Sequence, residues 1–405
     1  MKRNTIISPL KLHLYSNILF YIIPGIMSLF FFRGVYLEYT FNLLIIIIIS
    51  SFFYSIGYLS IYILPKRQHV ITNLNLNILY LFFFFYCIIL IIIYSQNSPA
   101  LFHVFSGDYR LINELRATAT KNKQGFDAII NAIYFTLSYV ILPSILLVQY
   151  YMKSKYRHVW FFILSLILML NMQKARMLYL ILPLVFLLLQ YIPKKIIYRY
   201  IFLFFLFLII TSYISGFNAE NFTLSLPIDI FERSTTGARF LFEDFNVINF
   251  VINRIFWIPF ITAIDWLHFF TTCLGYTLDG STAPVFYKLF GHESRFLIEN
   301  EVFKFEFNSG EGSLGTANSH FALDAYLNFG YTGVAIYSII AGLFTSIIYT
   351  RLPIPINFIS YNYAFVLTFS SLHANFLGGG IWFILILIIF FLLLKLIFKV
   401  KRSYP

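Results

Sequence analysis

Charge is scarce in this chain. Only 11% of its 405 residues are Asp, Glu, Lys or Arg, against roughly a quarter in a soluble domain. A water-exposed surface of ordinary size cannot be built from so few, which excludes a soluble globular fold. Acid is scarcer than base, 17 residues against 29. Cysteine is nearly absent: Cys87 and Cys273 read as free thiols and give neither a disulfide framework nor a zinc site. The basic residues are scattered over short segments and form no patch, so the net charge of +12 does not describe a nucleic-acid surface. No metal site and no cofactor is expected.

What the chain has instead is apolar length. Hydrophobic residues make up 60% of it and the mean hydropathy is +0.79. A span needs roughly 20 apolar residues. Candidate spans lie near 16–33, 41–64, 73–94, 128–151, 159–173, 177–192, 198–217, 333–350, 356–372 and 380–398, the pair at 159–192 being one long apolar stretch interrupted by Lys174 and Arg176. The expected fold is an all-α polytopic membrane protein of about ten helices (10–12), one membrane domain over residues 1–405. The first run follows Met1-Lys2-Arg3 and lacks a small-residue cleavage site, so it is expected to stay as a span.

The few charges are sorted. With a cytoplasmic N-terminus, all 17 acidic residues fall on the outer side. The inner segments then hold 16 of the 29 basic residues, among them Lys66, Lys153, Lys194, Arg351 and Lys399, with no acid. Short cytoplasmic loops rich in Lys and Arg are the positive-inside pattern. This orients the chain with both termini cytoplasmic, in a cell inner membrane, and puts the polar chemistry outside.

Two outer segments break the helical rhythm: residues 95–127 and residues 218–332. The second is the only one large enough to build a substrate site beyond the membrane. Within it, residues 246–270 are apolar enough for a span but carry Arg254, Asp265 and His268. Each charge at bilayer depth costs roughly 2.5–3.5 kcal/mol, and one extra crossing would move Lys399, Lys401 and Arg402 outside. The stretch is therefore read as a re-entrant or interfacial helix. Residues 297–320 are rich in Gly, Asn, Ser and Glu and are expected to form a flexible loop; their carboxylates read as a solvated acidic surface.

The strongest local pattern is Ala317-Asn318-Ser319-His320, followed by Asp324-Ala325-Tyr326-Leu327-Asn328-Phe329-Gly330-Tyr331-Thr332-Gly333 at the mouth of the eighth span. This run resembles the signature of the O-antigen polymerase family, the oligosaccharide repeat-unit polymerases. There a small-residue and His/Thr segment leads through a helix and an Asn-Phe-Gly-x-x-Gly turn into a span. The layout of many spans and one large outer loop in the second half is similar too. The resemblance implies an all-α bundle like the C-type glycosyltransferases. It implies a glycosyltransferase that uses an undecaprenyl-pyrophosphate-linked oligosaccharide and works beside membrane lipids, a chain-length regulator and a flippase. In the related O-antigen ligases a His is followed by Asn, Ser or Gln, nine residues and Gly. Here Phe321 follows His320 and Gly330 comes one residue early, which favours polymerase over ligase. A flippase or other transporter is the non-enzyme alternative; the internal repeats common in transporters are not evident.

Two sets of residues carry the expected chemistry. Arg176, Arg233, Arg239 and Arg254 lie at span ends or beside the membrane in the large loop. Planar, permanently charged donors near the headgroup plane suit a lipid pyrophosphate; each also serves equally as an interfacial anchor or an ion-pair partner. His320 reads either as a hydrogen-bonded histidine at a helix start or as a general base for a sugar hydroxyl. Asp324, one turn later, either orients His320 or caps the helix. Gly330 and Gly333 are expected to permit a tight turn and to carry no chemistry.

Overall fold

The computed structural model describes residues 7–30, 32–64, 69–74, 76–94, 99–106, 137–170, 174–191, 252–275, 277–282, 291–293, 296–307, 316–370 and 398–402, with a few isolated positions between them. The chain is mostly helical. Its main elements are α1 (Pro9–Ser28), α2 (Val35–Tyr62), β1 (His69–Leu74), α3 (Leu76–Tyr94), α4 (Leu142–Tyr151), α5 (Arg157–Met169) and α6 (Lys174–Tyr191). They continue with α7 (Ile255–Leu274), α8 (Ile298–Phe307), α9 (Phe321–Arg351), α10 (Ile359–Val366) and β2 (Phe398–Arg402). Among the described residues, four helices are long and apolar enough to cross a membrane: α1, α2, α7 and α9. The runs at 198–217 and 380–398 and the segment 95–127 lie largely or wholly outside the described residues.

α9 has two arms. Phe329 and Gly330 leave helical geometry and divide a short arm, 321–328, from a long arm, 331–351. A Cβ on Gly333 would strike the carbonyl oxygen of Ala325, and the rings of Phe329 and Tyr337 lie 6.2 Å apart. Residues eight apart in a straight helix are separated by about 12 Å along the axis. The two arms are therefore folded back on each other as a hairpin. Phe321, at the foot of the short arm, clusters with Ala341 of the long one.

The bundle is organised around α2 and the long arm. Tyr331 OH donates to Asn42 at 3.1 Å, Ser338 Oγ donates to Ser50 Oγ at 2.9 Å, and the rings of Tyr62 and Tyr349 lie 6.4 Å apart. Contacts advance together along both helices, which run parallel. A Cβ on Gly57 would strike the backbone of Ile339, and one on Gly342 the backbone of Tyr54. Glycine and serine bring the two backbones into direct contact, as small residues do where lipid supplies no hydrophobic drive between helices. α1 runs antiparallel to α2, with His13 against Tyr54 (4.0 Å between rings), Asn17 against Ser51 (2.9 Å) and Gly25 against Leu44. α10 runs alongside α1, with Ala364 at His13 and Thr368 at Tyr21.

Two ends follow from this geometry. The upper end is where α2 and the long arm begin, and the lower end is where they finish. Glu38 occupies the first turn of α2 at the upper end, where the helix dipole favours a negative charge. Asp279 lies by the tip of the hairpin, since the next residue, Gly280, bonds to Asn328. α8, with Glu299, Glu301 and Glu306, packs on α7 beside it. At the lower end Arg351, the last residue of α9, is exposed. Lys399, Lys401 and Arg402 lie there too, in an antiparallel ribbon in which Ile71 pairs with Val400 and Leu74 with Phe398. Ile71 N–H donates to Ile354 O at 3.1 Å and ties this ribbon to the segment after α9.

The structure differs from the sequence expectation in several places, among them the run 356–372, which is α-helical only over Ile359–Val366. Residues 297–320 are not all loop, since 298–307 form α8. Its Ile298 and Val302, four apart, are buried against α7, while Glu299 and Glu301 sit favourably in the first turn. The span expected at 16–33 begins earlier, because Ser8 caps the helix through a 3.3 Å hydrogen bond from Lys11 N–H and Pro9 opens it. The β1–β2 ribbon was not expected at all. Its strands are short and come from opposite halves of the chain, so no local turn signal announces their pairing.

Candidate functional site at the helical hairpin

His320 is the N-cap of α9. Its extended backbone lets Nδ1 accept from the Ala322 N–H at 3.1 Å, as a capping side chain does. The other nitrogen, Nε2, donates to Asn17 Oδ1 at 3.1 Å. The Asn17 amide donates in turn to His13 Nε2 (3.3 Å) and Ser51 (2.9 Å), and His13 Nδ1 donates to Ala364 O at 2.8 Å. These roles form one self-consistent chain with both imidazoles neutral. His13, Asn17 and His320 are fully buried. α1, α2, α9 and α10 are joined at one point, level with Ser51 and so past the middle of α2. The short arm carries His320 from the expected mouth of a span down into the bundle. In this arrangement neither ring nitrogen is open to a sugar hydroxyl.

Asp324 and Asn328 form a second group one and two turns up the short arm. Asp324 accepts from Thr282 Oγ1 at 2.8 Å. Asn328 donates to Thr282 Oγ1 (2.8 Å) and to the Asp324 carbonyl (2.7 Å), and accepts from Gly280 N–H (2.8 Å). Leu278 N–H donates to Leu327 O at 3.0 Å. The pair therefore holds the segment 278–282 against the short arm. The spacing of four puts both residues on one face, which is why one loop can bridge them.

Directly after Asn328 the helix breaks. Gly330 has φ +60 and ψ −154, a conformation that glycine alone adopts without strain. Gly330 makes the turn of the hairpin and Gly333 makes the close approach of its arms.

α7 lies against the same region. Phe256 stacks on Phe20, Phe260 on Phe32, and Trp266 Nε1 donates to Ala317 O at 2.9 Å. Asp265 is fully buried on it, and buried Glu306 of α8 accepts from Thr262 at 3.3 Å. Arg254 occupies the π-turn Asn253–Trp257 that opens this helix, two residues before Phe256. Phe20, the partner of Phe256, is itself one turn beyond Asn17. Arg176 stands in the first turn of α6, one turn before Tyr179, whose carbonyl accepts from Asn362 at 2.6 Å. Asn362 is two residues from Ala364, the acceptor of His13. Arg254 thus lies on the helix packed against α1 beyond Asn17, and Arg176 on the helix packed against α10. Arg233 and Arg239 lie outside the described residues.

Sequence reading missed His13, Asn17 and Thr282. His13 and Asn17 are spaced i, i+4 within an apolar helix, a signal of a shared buried face; Thr282 carried none. Among the described residues no group of three or more His, Cys, Asp or Glu is arranged to hold a metal ion. Comparison with family models, with curated proteins and with solved structures gives no match.

Proposed function

We propose that this chain polymerises lipid-linked oligosaccharide repeat units into a surface polysaccharide at the outer face of the inner membrane. In this reading it has about ten spans in the manner of the C-type glycosyltransferases, with cytoplasmic termini at the basic lower end. Its site opens towards the acidic upper end. The observation that carries the proposal is the run Asp324–Gly333, which resembles the polymerase signature and forms the tip of the helical hairpin.

The growing glycan is held by its undecaprenyl pyrophosphate. Arg176, Arg233, Arg239 and Arg254 bind that group, and its negative charge grows as the glycosidic bond to it breaks. His320 and Asp324 complete the site. Their hydrogen bonds favour positioning roles: His320 sets the start of the short arm, and Asp324 fixes the loop 278–282 beside it. Pyrophosphate leaves readily, so the transfer needs no acid, only a base or oriented dipole at the attacking hydroxyl.

Deletion of the gene tests the proposal. The surface polysaccharide, run on a gel, should collapse to a single repeat unit on its acceptor. A bare acceptor with accumulated lipid-linked polymer would instead identify a ligase. A bare acceptor without such polymer would identify a flippase.

A further inference from the structure

His268 differs from the two buried histidines. It sits near the end of α7, at the upper end, and is half-buried. Three aromatic rings surround it: Tyr36 at 5.6 Å edge-on, Tyr39 at 5.4 Å, and Phe305 of α8 at 5.0 Å edge-on. Its Nδ1 is buried and makes no hydrogen bond. One turn further on, Thr271, Thr272 and Cys273 are exposed, and Tyr39 OH and Thr271 Oγ1 share a hydrogen bond at 2.5 Å beside the ring. Asp265, three residues earlier on the same helix, is fully buried.

A phenylalanine would fill this box of rings with no unsatisfied nitrogen, a defect that costs about 1–3 kcal/mol. What the imidazole offers in exchange is its second nitrogen, on the side of the ring away from the buried Nδ1. Sugars are bound by apolar ring faces with a few placed polar groups. Tyr36, Tyr39, Phe305 and His268 supply both at the acidic end of the bundle. His320 has both nitrogens engaged, so a base for the acceptor hydroxyl would have to be another residue.

We propose that His268 is the catalytic base that activates the acceptor sugar, in a subsite walled by Tyr36, Tyr39 and Phe305. The inference rests on the polymerase reading above. The acceptor hydroxyl gives its proton to Nε2 of His268 as its oxygen bonds to the anomeric carbon of the donor. The bond from that carbon to the pyrophosphate oxygen breaks, and its electron pair leaves on the lipid pyrophosphate. The imidazolium then passes its proton to water.

The test uses purified full-length protein in nanodiscs and lipid-linked repeat units extracted from a strain deleted for this gene. His268→Ala should lower kcat by about 10²–10⁴-fold with KM little changed, and His268→Gln should not restore it. Both variants should elute and melt as the wild type does. Wild-type kcat in His268→Ala overturns the inference, and so does a change confined to KM, which would make the ring a wall and no base. If the variants fail to fold, carbethoxylation of the wild type decides. His268 should be modified and then protected by the repeat unit; a His268 that stays unmodified overturns the proposal. Absence of polymer from the wild type would defeat the polymerase reading itself, a result separable from failure at His268 alone.

Discussion

Asn17 ties four helices through one amide, so its loss should be felt well beyond α1. Asn17→Ala would leave the Nε2 atoms of both His13 and His320 without partners in a buried site. Each such group costs about 1–3 kcal/mol, and the expected outcome is a clear drop in melting temperature of the purified protein. On the polymerase reading, Arg176→Ala should abolish chain growth while the protein still inserts. Arg176→Lys should also be impaired, since an ammonium lacks the bidentate fork. Normal polymer length in a well-expressed Arg176→Ala strain would remove this residue from the site.

Among the elements, α9 depends on its break and α2 on its smooth face. Gly330→Ala places a side chain at φ +60, ψ −154, a region that costs of order 1–3 kcal/mol. Gly57→Leu drives a side chain into the backbone of Ile339. The second change should be the more damaging, because two backbones must separate, whereas at Gly330 nothing lies within 4 Å of the added Cβ. Fluorescence-detected size exclusion after heating would rank them; equal stability of wild type and Gly57→Leu would refute the close packing of α2 on the long arm.

For the whole molecule, the parallel run of α2 and the long arm constrains topology. The chain leaves α2 at the lower end and enters the long arm at the upper end, so an odd number of crossings must separate them. Ser50→Cys with Ser338→Cys should cross-link rapidly under mild oxidation, because the two hydroxyls are 2.9 Å apart. An unlinked pair in folded protein would contradict the parallel arrangement. Exposed Cys273 marks the upper end. In a Cys87→Ser background, an impermeant maleimide should label intact cells at Cys273. Labelling only after the membrane is opened would invert the proposed orientation.

The helical character and the presence of helices able to cross a membrane were legible in the sequence alone, because bilayer insertion is governed by local hydropathy. The break at Asn328-Phe329-Gly330 was legible for the same reason: glycine at a helix junction acts locally. That the two arms then fold back on each other was not legible, since it depends on how closely Gly333 can approach Ala325. α8 was hidden by its polar composition, since Ile298 and Val302 become a helix face only when α7 covers them. The meeting of His13 and Asn17 with His320 across more than 300 residues, and of Thr282 with Asp324, was decided by tertiary packing alone. A buried polar group must find a partner, but which partner depends on how the helices cross, and no local pattern in the chain encodes that.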